Sequence, residues 1–168
     1  THARRYLDYY VANPMHDTAL RAVALDGLGM HRDVRSLDTI VESLGDRDTW
    51  VRRSAANALG QIDFSSRYRE EWNELEFEGD DLAKASEDSD ITVQNFLAIA
   101  LGEIGGQEAI GILQKILMNA KLNSTKAFAA LGLAVSKDKG AGPILAERLS
   151  QKNLDPETRA AIYLSLGL

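Results

Sequence analysis

The chain has 168 residues, 45% of them hydrophobic and 26% charged, with a net charge of −6. It contains no cysteine, which excludes disulfides, thiolate catalysis and cysteine-bound metal. No apolar run approaches the roughly 18 residues of a membrane span, and the acidic balance argues against general nucleic-acid binding, which needs Lys and Arg to neutralise phosphates.

The first predicted element is a helix over 3–13. Tyr6, Leu7, Tyr10 and Val11 fall on one face, and Asn13-Pro14 stops it. Beyond it a Leu-Gly pair recurs five times: Leu28-Gly29, Leu59-Gly60, Leu101-Gly102, Leu131-Gly132 and Leu166-Gly167. The glycines are 31, 42, 30 and 35 residues apart, the spacing of a helical repeat array. Twelve residues before the glycine stands Asp17, Asp48, Asp90 or Asp155 in four of the five cases, and eight before it stands Arg21, Arg52 or Arg159 in three.

The first unit, about 14–46, runs from Asp17 to Gly29 and then into an apolar stripe of Val34, Leu37, Ile40, Val41 and Leu44. The second, about 47–87, shows the logic best. Asp48 is placed to cap a helix whose Val51, Ala55, Ala58 and Leu59 share one face, and Gly60 is expected to end it in the left-handed conformation. Ala55, Ala58, Ala98, Ala100, Ala127 and Ala130 are small enough for neighbouring helices to approach closely.

This second unit carries a surplus of about ten residues, an insertion over 63–80. It interleaves Phe64, Tyr68, Trp72 and Phe77 with Glu70, Glu71, Glu74, Glu76, Glu78, Asp80 and Asp81. Three readings stand. Trp72, Leu75 and Phe77 pack back onto the helices while the carboxylates stay solvated; Tyr68, Glu71, Trp72 and Glu74 form a docking patch, since aromatic residues favour interface hot spots; or the carboxylates bind calcium, although the 12-residue EF-hand spacing is absent.

The third unit, about 88–119, leads from Asp90 through Gly102 to a second helix with Ile110, Leu113, Ile116 and Leu117 on one face. Gly102-Glu103-Ile104-Gly105-Gly106 lacks the strand and the Gly-Lys-Ser/Thr ending of a phosphate loop, and reads as the turn between helices. In the fourth unit, about 120–151, Ala120 and Ser124 replace Asp and Arg. Asn123 or Ser124 is expected to cap a first helix about one turn shorter. Its second helix carries Ile144, Leu145 and Leu149. Over 152–168, Asp155-Pro156 starts a last helix with no second helix after it, so Ile162, Leu164 and Leu168 are expected to be partly exposed, or covered by chain outside this sequence.

The segment Asp48 to Ile62, and again Asp90 to Ile104 with Gly105–Ile110, resembles the HEAT-like repeat of the phycobilisome-lyase type. The likeness covers nearly all of 14–168. It implies an all-α, right-handed α-α superhelix: a HEAT-like solenoid of antiparallel helix pairs forming a single domain over 1–168. Starting at Thr1 without Met, the chain reads as a fragment of a longer one. In that family the Asp and Arg positions form a ladder between repeats. The resemblance therefore makes Asp17, Arg21, Asp48, Arg52, Asp90, Asp155 and Arg159 structural.

Chemistry is sparse. His2, His16 and His31 have no partner at a metal-ligand spacing, and the His-Glu doublets of HEAT-like iron hydroxylases are missing. No catalytic residue, cofactor or metal site is assigned. The expected role is a non-catalytic protein-interaction scaffold whose partner is another protein or another domain of the same chain. Helix phase gives Arg35, Asp38, Glu42, Gln114, Lys115, Met118, Glu147 and Arg148 as its contact surface, beside the insertion residues. The alternatives are a helical accessory domain of a larger enzyme, a bilin-lyase-like protein, or a nucleic-acid-binding HEAT protein.

Overall fold

The computed structural model describes residues 2–64 and 79–167, and among them every regular element is helical. The order is α1 (His2–Ala12), α2 (Thr18–His31), a short 3-10 turn (Val34–Ser36), α3 (Leu37–Ser43), α4 (Thr49–Leu59), α5 (Gly79–Ala85), α6 (Ile91–Ile104), α7 (Gly106–Asn119), α8 (Asn123–Val135), α9 (Ala141–Leu149) and α10 (Pro156–Leu166). Helices α2, α4, α6, α8 and α10 are the first helices of successive repeats. Helices α3, α5, α7 and α9 are the second. Trp72 and the rest of 65–78 lie outside the described residues.

The chain divides into two compact units, 1–93 and 94–168. In the first, α2 packs against α1 and α4, and α3 packs against α1, α4 and α5. Leu25, Leu28, Leu37, Ile40 and Leu59 are fully buried there. In the second, α8 packs against α7, α9 and α10, around Leu113, Leu117, Leu133 and Leu145. Each such leucine removed from water contributes about 1.5–3 kcal/mol. The alanines at 55, 58, 98, 100, 127 and 130 are all buried.

Four of the five first helices begin with an aspartate whose carboxylate accepts backbone N–H bonds. Asp17 accepts from Ala19, Asp48 from Trp50, Asp90 from Thr92 and Val93, and Asp155 from Thr158. These oxygens satisfy donors that an α-helix leaves open and face the positive end of its dipole. The fourth unit differs from expectation. Leu122 occupies the cap position of α8 with no side-chain bond, Asn123 is already helical, and the 13-residue helix is not shortened.

The repeat glycines also differ from expectation. Gly60 has φ −68°, ordinary helical backbone. Of the five, Gly167 takes the left-handed conformation, with φ 72°. Gly29, Gly102 and Gly132 are required by close packing instead. A Cβ on Gly29 would stand 2.8 Å from the Ala58 Cα. One on Gly102 would fall on the Gly132 carbonyl, and one on Gly132 on the Ala98 carbonyl. The backbones of α2 and α4, and of α6 and α8, therefore touch where the Leu-Gly pairs lie.

At the C-terminal end, Ile162 is completely buried and Leu164 is 74% exposed. The expectation of exposure thus fails for Ile162, and Leu168 lies outside the described residues. It lies two residues before Leu164 in α10, on the face toward α8.

Candidate functional site: a charged cavity between second helices

The arginines of the frame are held by aspartates other than the capping ones. The Arg21 guanidinium pairs with Asp46, and Arg52 donates Nε and Nη2 to Asp88 at 2.6 and 3.1 Å. Asp46 and Asp88 each stand two residues before the next capping aspartate, and each also accepts that residue's backbone N–H, from Asp48 at 2.8 Å and from Asp90 at 2.7 Å. The Asp-x-Asp spacing thus lets one carboxylate grip the previous repeat's arginine while the other starts the next helix. The remaining donors of Arg52 go to the carbonyls of Asp46 and Arg47 and to the Thr49 hydroxyl. Its positive charge is reinforced chiefly by the hydrogen bonds it donates to Asp88, against the opposing effect of burial. Arg53 forms a second fork with Asp90, which holds that carboxyl at about 2.

Arg159 lies in the same register of the last repeat. Its Nη2 donates to the Leu154 carbonyl at 3.3 Å, much as Arg52 reaches the carbonyl of Arg47.

Beside these pairs, in the first unit, is a half-open cavity of about 490 Å³. Val41, Glu42, Leu44 and Gly45 at the end of α3 form one side, and Asp81, Lys84 and Ala85 of α5 another, with Asp46, Arg52 and Asp88 completing it. Val41, Leu44 and Ala85 give it an apolar floor. Glu42 and Asp81 are exposed carboxylates, and Lys84 lies 3.3 Å from Asp81. All five N–H donors of Arg52 are already engaged, so this half-buried cation is not available to an incoming anion.

The other sequence-derived contact residues scatter. Arg35 lies in the 3-10 turn and folds back onto Asp33 through Nε and Nη2 at 2.9 and 2.8 Å, lowering the Asp33 pKa. Asp38, Lys115 and Glu147 are exposed, and Gln114 and Met118 are half-buried. Arg148, expected on the open surface, is only 7% exposed. Tyr68, Glu71, Trp72 and Glu74 fall outside the described residues. Asp46 and Asp88 escaped the sequence reading, although their fixed offset of fourteen from Gly60 and Gly102 is visible in it.

The histidines do not converge. His16 contacts the rings of Tyr9 and Tyr10, and His31 is exposed at the end of α2. Among the described residues, no three His, Asp or Glu side chains come together as a metal-binding group, and no helix is long and apolar enough to cross a membrane.

The family comparison agrees with this geometry: HEAT repeats match residues 15–70 and 79–167. The chain belongs to the HEAT-repeat family. Its fold is similar to that of an engineered protein, with 20% identity, 98% of this chain and 78% of that one covered, and a TM-score of 0.66. It is also similar to a chain in the complex of CpcE and CpcF of phycocyanin lyase from Nostoc sp. PCC7120. There the identity is 19%, the cover 98% of this chain and 63% of that one, and the TM-score 0.57. No curated protein sequence matches. At these identities the likeness is one of fold, an all-α HEAT-like solenoid, the kind of repeat array that serves as a scaffold or interaction module.

Proposed function

We propose that this HEAT-repeat chain is a non-catalytic scaffold that binds another protein, or another domain of its own chain, through the surfaces of its second helices. The observation that carries the reading is the cavity between α3 and α5. It offers an apolar floor with carboxylates at its rim, while its half-buried ionisable groups are occupied in holding the repeats together. Arg52, Asp46 and Asp88 form pairs and caps, which leaves them unsuited to exchanging protons with a substrate. The exposed rim carboxylates Glu42 and Asp81, the second of them beside Lys84, favour a partner segment carrying a Lys or Arg whose aliphatic stem covers Val41, Leu44 and Ala85.

Charge reversal tests this. Glu42→Lys with Asp81→Lys alters two exposed side chains and leaves the helical circular dichroism unchanged. Cross-linking and capture with the double variant is expected to lose the species recovered by the parent chain. Recovery of the same species at the same yield would refute the cavity as the contact.

A further inference from the structure

Arg159 stands eight residues before a repeat glycine, as Arg21 and Arg52 do, yet among the described residues no carboxylate pairs with it. Arg21 holds Asp46 and Arg52 holds Asp88, and each of those aspartates belongs to the Asp-x-Asp that opens the next repeat. In other respects Arg159 is placed as Arg52 is. It is half-buried, and one terminal nitrogen bonds the carbonyl five residues back. Its Nε and Nη1 have no acceptor among the described residues, and neither atom is sealed from solvent. The guanidinium is thus held in the ladder position with its donors open to an incoming group.

The helix face beside this arginine is open as well. On α2 the face toward α4 is marked by Gly29, whose added Cβ would strike Ala58, and by Leu25 and Ala22 one and two turns earlier, both completely buried. On α6, Ala98 and Gly102 lie in the same register against α8 and are buried too. The corresponding residues of α10 are Ala160, Tyr163 and Gly167, with Leu164 beside them. All four are exposed, and a Cβ on Gly167 would meet nothing within 4 Å. The opposite face of α10 is the one in use. There Thr158 and Ser165 donate their hydroxyls to the Asn123 and Ala130 carbonyls of α8, and Ile162 is buried.

We infer that this face of α10, with Arg159 at its edge, docks an α-helix of a partner protein that opens on Asp-x-Asp. The first aspartate takes the Arg159 guanidinium in a charge-assisted pair, and the second caps the incoming helix. Small and apolar residues of that helix cover Ala160, Tyr163, Leu164 and Gly167. The contact continues the α2–α4 interface, in which Asp46 serves Arg21 and Asp48 starts the helix lying on Gly29. A second copy of this chain is a poorer occupant. The residue two before its capping Asp17 is Met15, and Asp46 and Asp88 are engaged within their own chain. The α10 face is separate from the cavity between α3 and α5, and its test needs no identified partner, so failure of one reading is distinguishable from failure of the other.

The probe is a capped synthetic peptide with the sequence of residues 44–61, the element that fills the equivalent place on α2, and the same peptide with Asp46→Asn. Each is titrated into the full chain and followed by nitrogen–proton NMR of the Arg159 Nε–H group and the backbone amides of 159–167. The parent peptide is expected to shift these resonances saturably, with a dissociation constant on the order of 0.1–1 mM, because a lone helix must also be ordered on binding. The Asn peptide is expected to bind about tenfold more weakly, the loss of one charge-assisted contact. Arg159→Met is expected to bind both peptides equally, which ties the discrimination to that residue pair. Tyr163→Glu with Leu164→Glu, two exposed positions, is expected to abolish the shifts with the helical circular dichroism unchanged. No shift at millimolar peptide, equal binding of the Asp and Asn peptides by the parent chain, or discrimination that persists in Arg159→Met would each overturn the inference. So would shifts confined to the amides of α1 and α2, which would place the peptide on the first unit instead.

Discussion

Replacing Gly132 by alanine sets two physical effects against each other, and the sign of the result decides between them. Gly132 lies inside α8, where alanine is favoured over glycine by about 1 kcal/mol on backbone grounds alone. The added Cβ, however, would fall on the Ala98 carbonyl and stand 3.0 Å from the Leu113 Cδ2. A leucine tip can rotate away, but a backbone carbonyl cannot move without displacing α6. Overpacking of this kind costs about 1–3 kcal/mol, and the larger value applies when backbone must shift. The net expectation is a loss of about 1–2 kcal/mol, or roughly 2–8 °C in Tm for a chain of this size. Gly111, inside α7, is the control, because its Cβ would meet nothing within 4 Å. Gly111→Ala is therefore expected to gain about 1 kcal/mol. Urea unfolding of both variants followed by circular dichroism makes the comparison. If Gly132→Ala proved as stabilising as Gly111→Ala, the close approach of α6 and α8 would be refuted as the reason for the repeat glycine.

Arg52→Met leaves Asp88 partly buried without its cation, and is expected to cost about 3 kcal/mol in the same urea assay. Arg53→Met removes a surface fork and is expected to cost distinctly less; equal losses would contradict the ranking of the two pairs. Asp90 has its carboxyl held at about 2, below the ordinary carboxylate value of 3.8, chiefly by the hydrogen bond from Arg53. Its stabilising contribution is therefore complete above about pH 4 and is lost as pH falls through about 2. Asp90→Asn retains a helix cap, and its Tm is expected to fall less steeply than the parent's between pH 5 and pH 2, as read by calorimetry. Asp155→Ala removes the cap accepting from Thr158 and is expected to cost about 1 kcal/mol in urea unfolding.

The repeat frame was legible in the sequence because it is local. Aspartate caps bond to amides two or three residues away, and apolar faces follow the helical period within a single element. The purpose of the glycines was not legible. A glycine at a helix end can supply a left-handed residue, as Gly167 does, or make room for a neighbouring backbone, as Gly29, Gly102 and Gly132 do. What distinguishes the two lies about thirty residues away. The partners of Arg21 and Arg52 were hidden for the same reason. Asp46 and Asp88 are separated from them by 25 and 36 residues, although the Asp-x-Asp spacing was available as a clue. Arg148 had a visible clue too. It follows Leu145 by three residues on a nine-residue helix, so phase places it beside the core. Arginine is ordinarily a surface residue, and here the helix phase overrides that preference. The cavity could not be read at all, since α3 and α5 are brought together by repeat stacking across the insertion.

The most direct test of the interaction-scaffold reading is site-specific photo-crosslinking with benzoylphenylalanine at three exposed positions. Glu42 is at the cavity rim, Lys115 is on α7, and Val23 is on the first helix α2. Adducts of one defined mass from positions 42 and 115, with none from position 23, are the predicted result. Adducts at position 23 as abundant as those at 42 and 115 would contradict it.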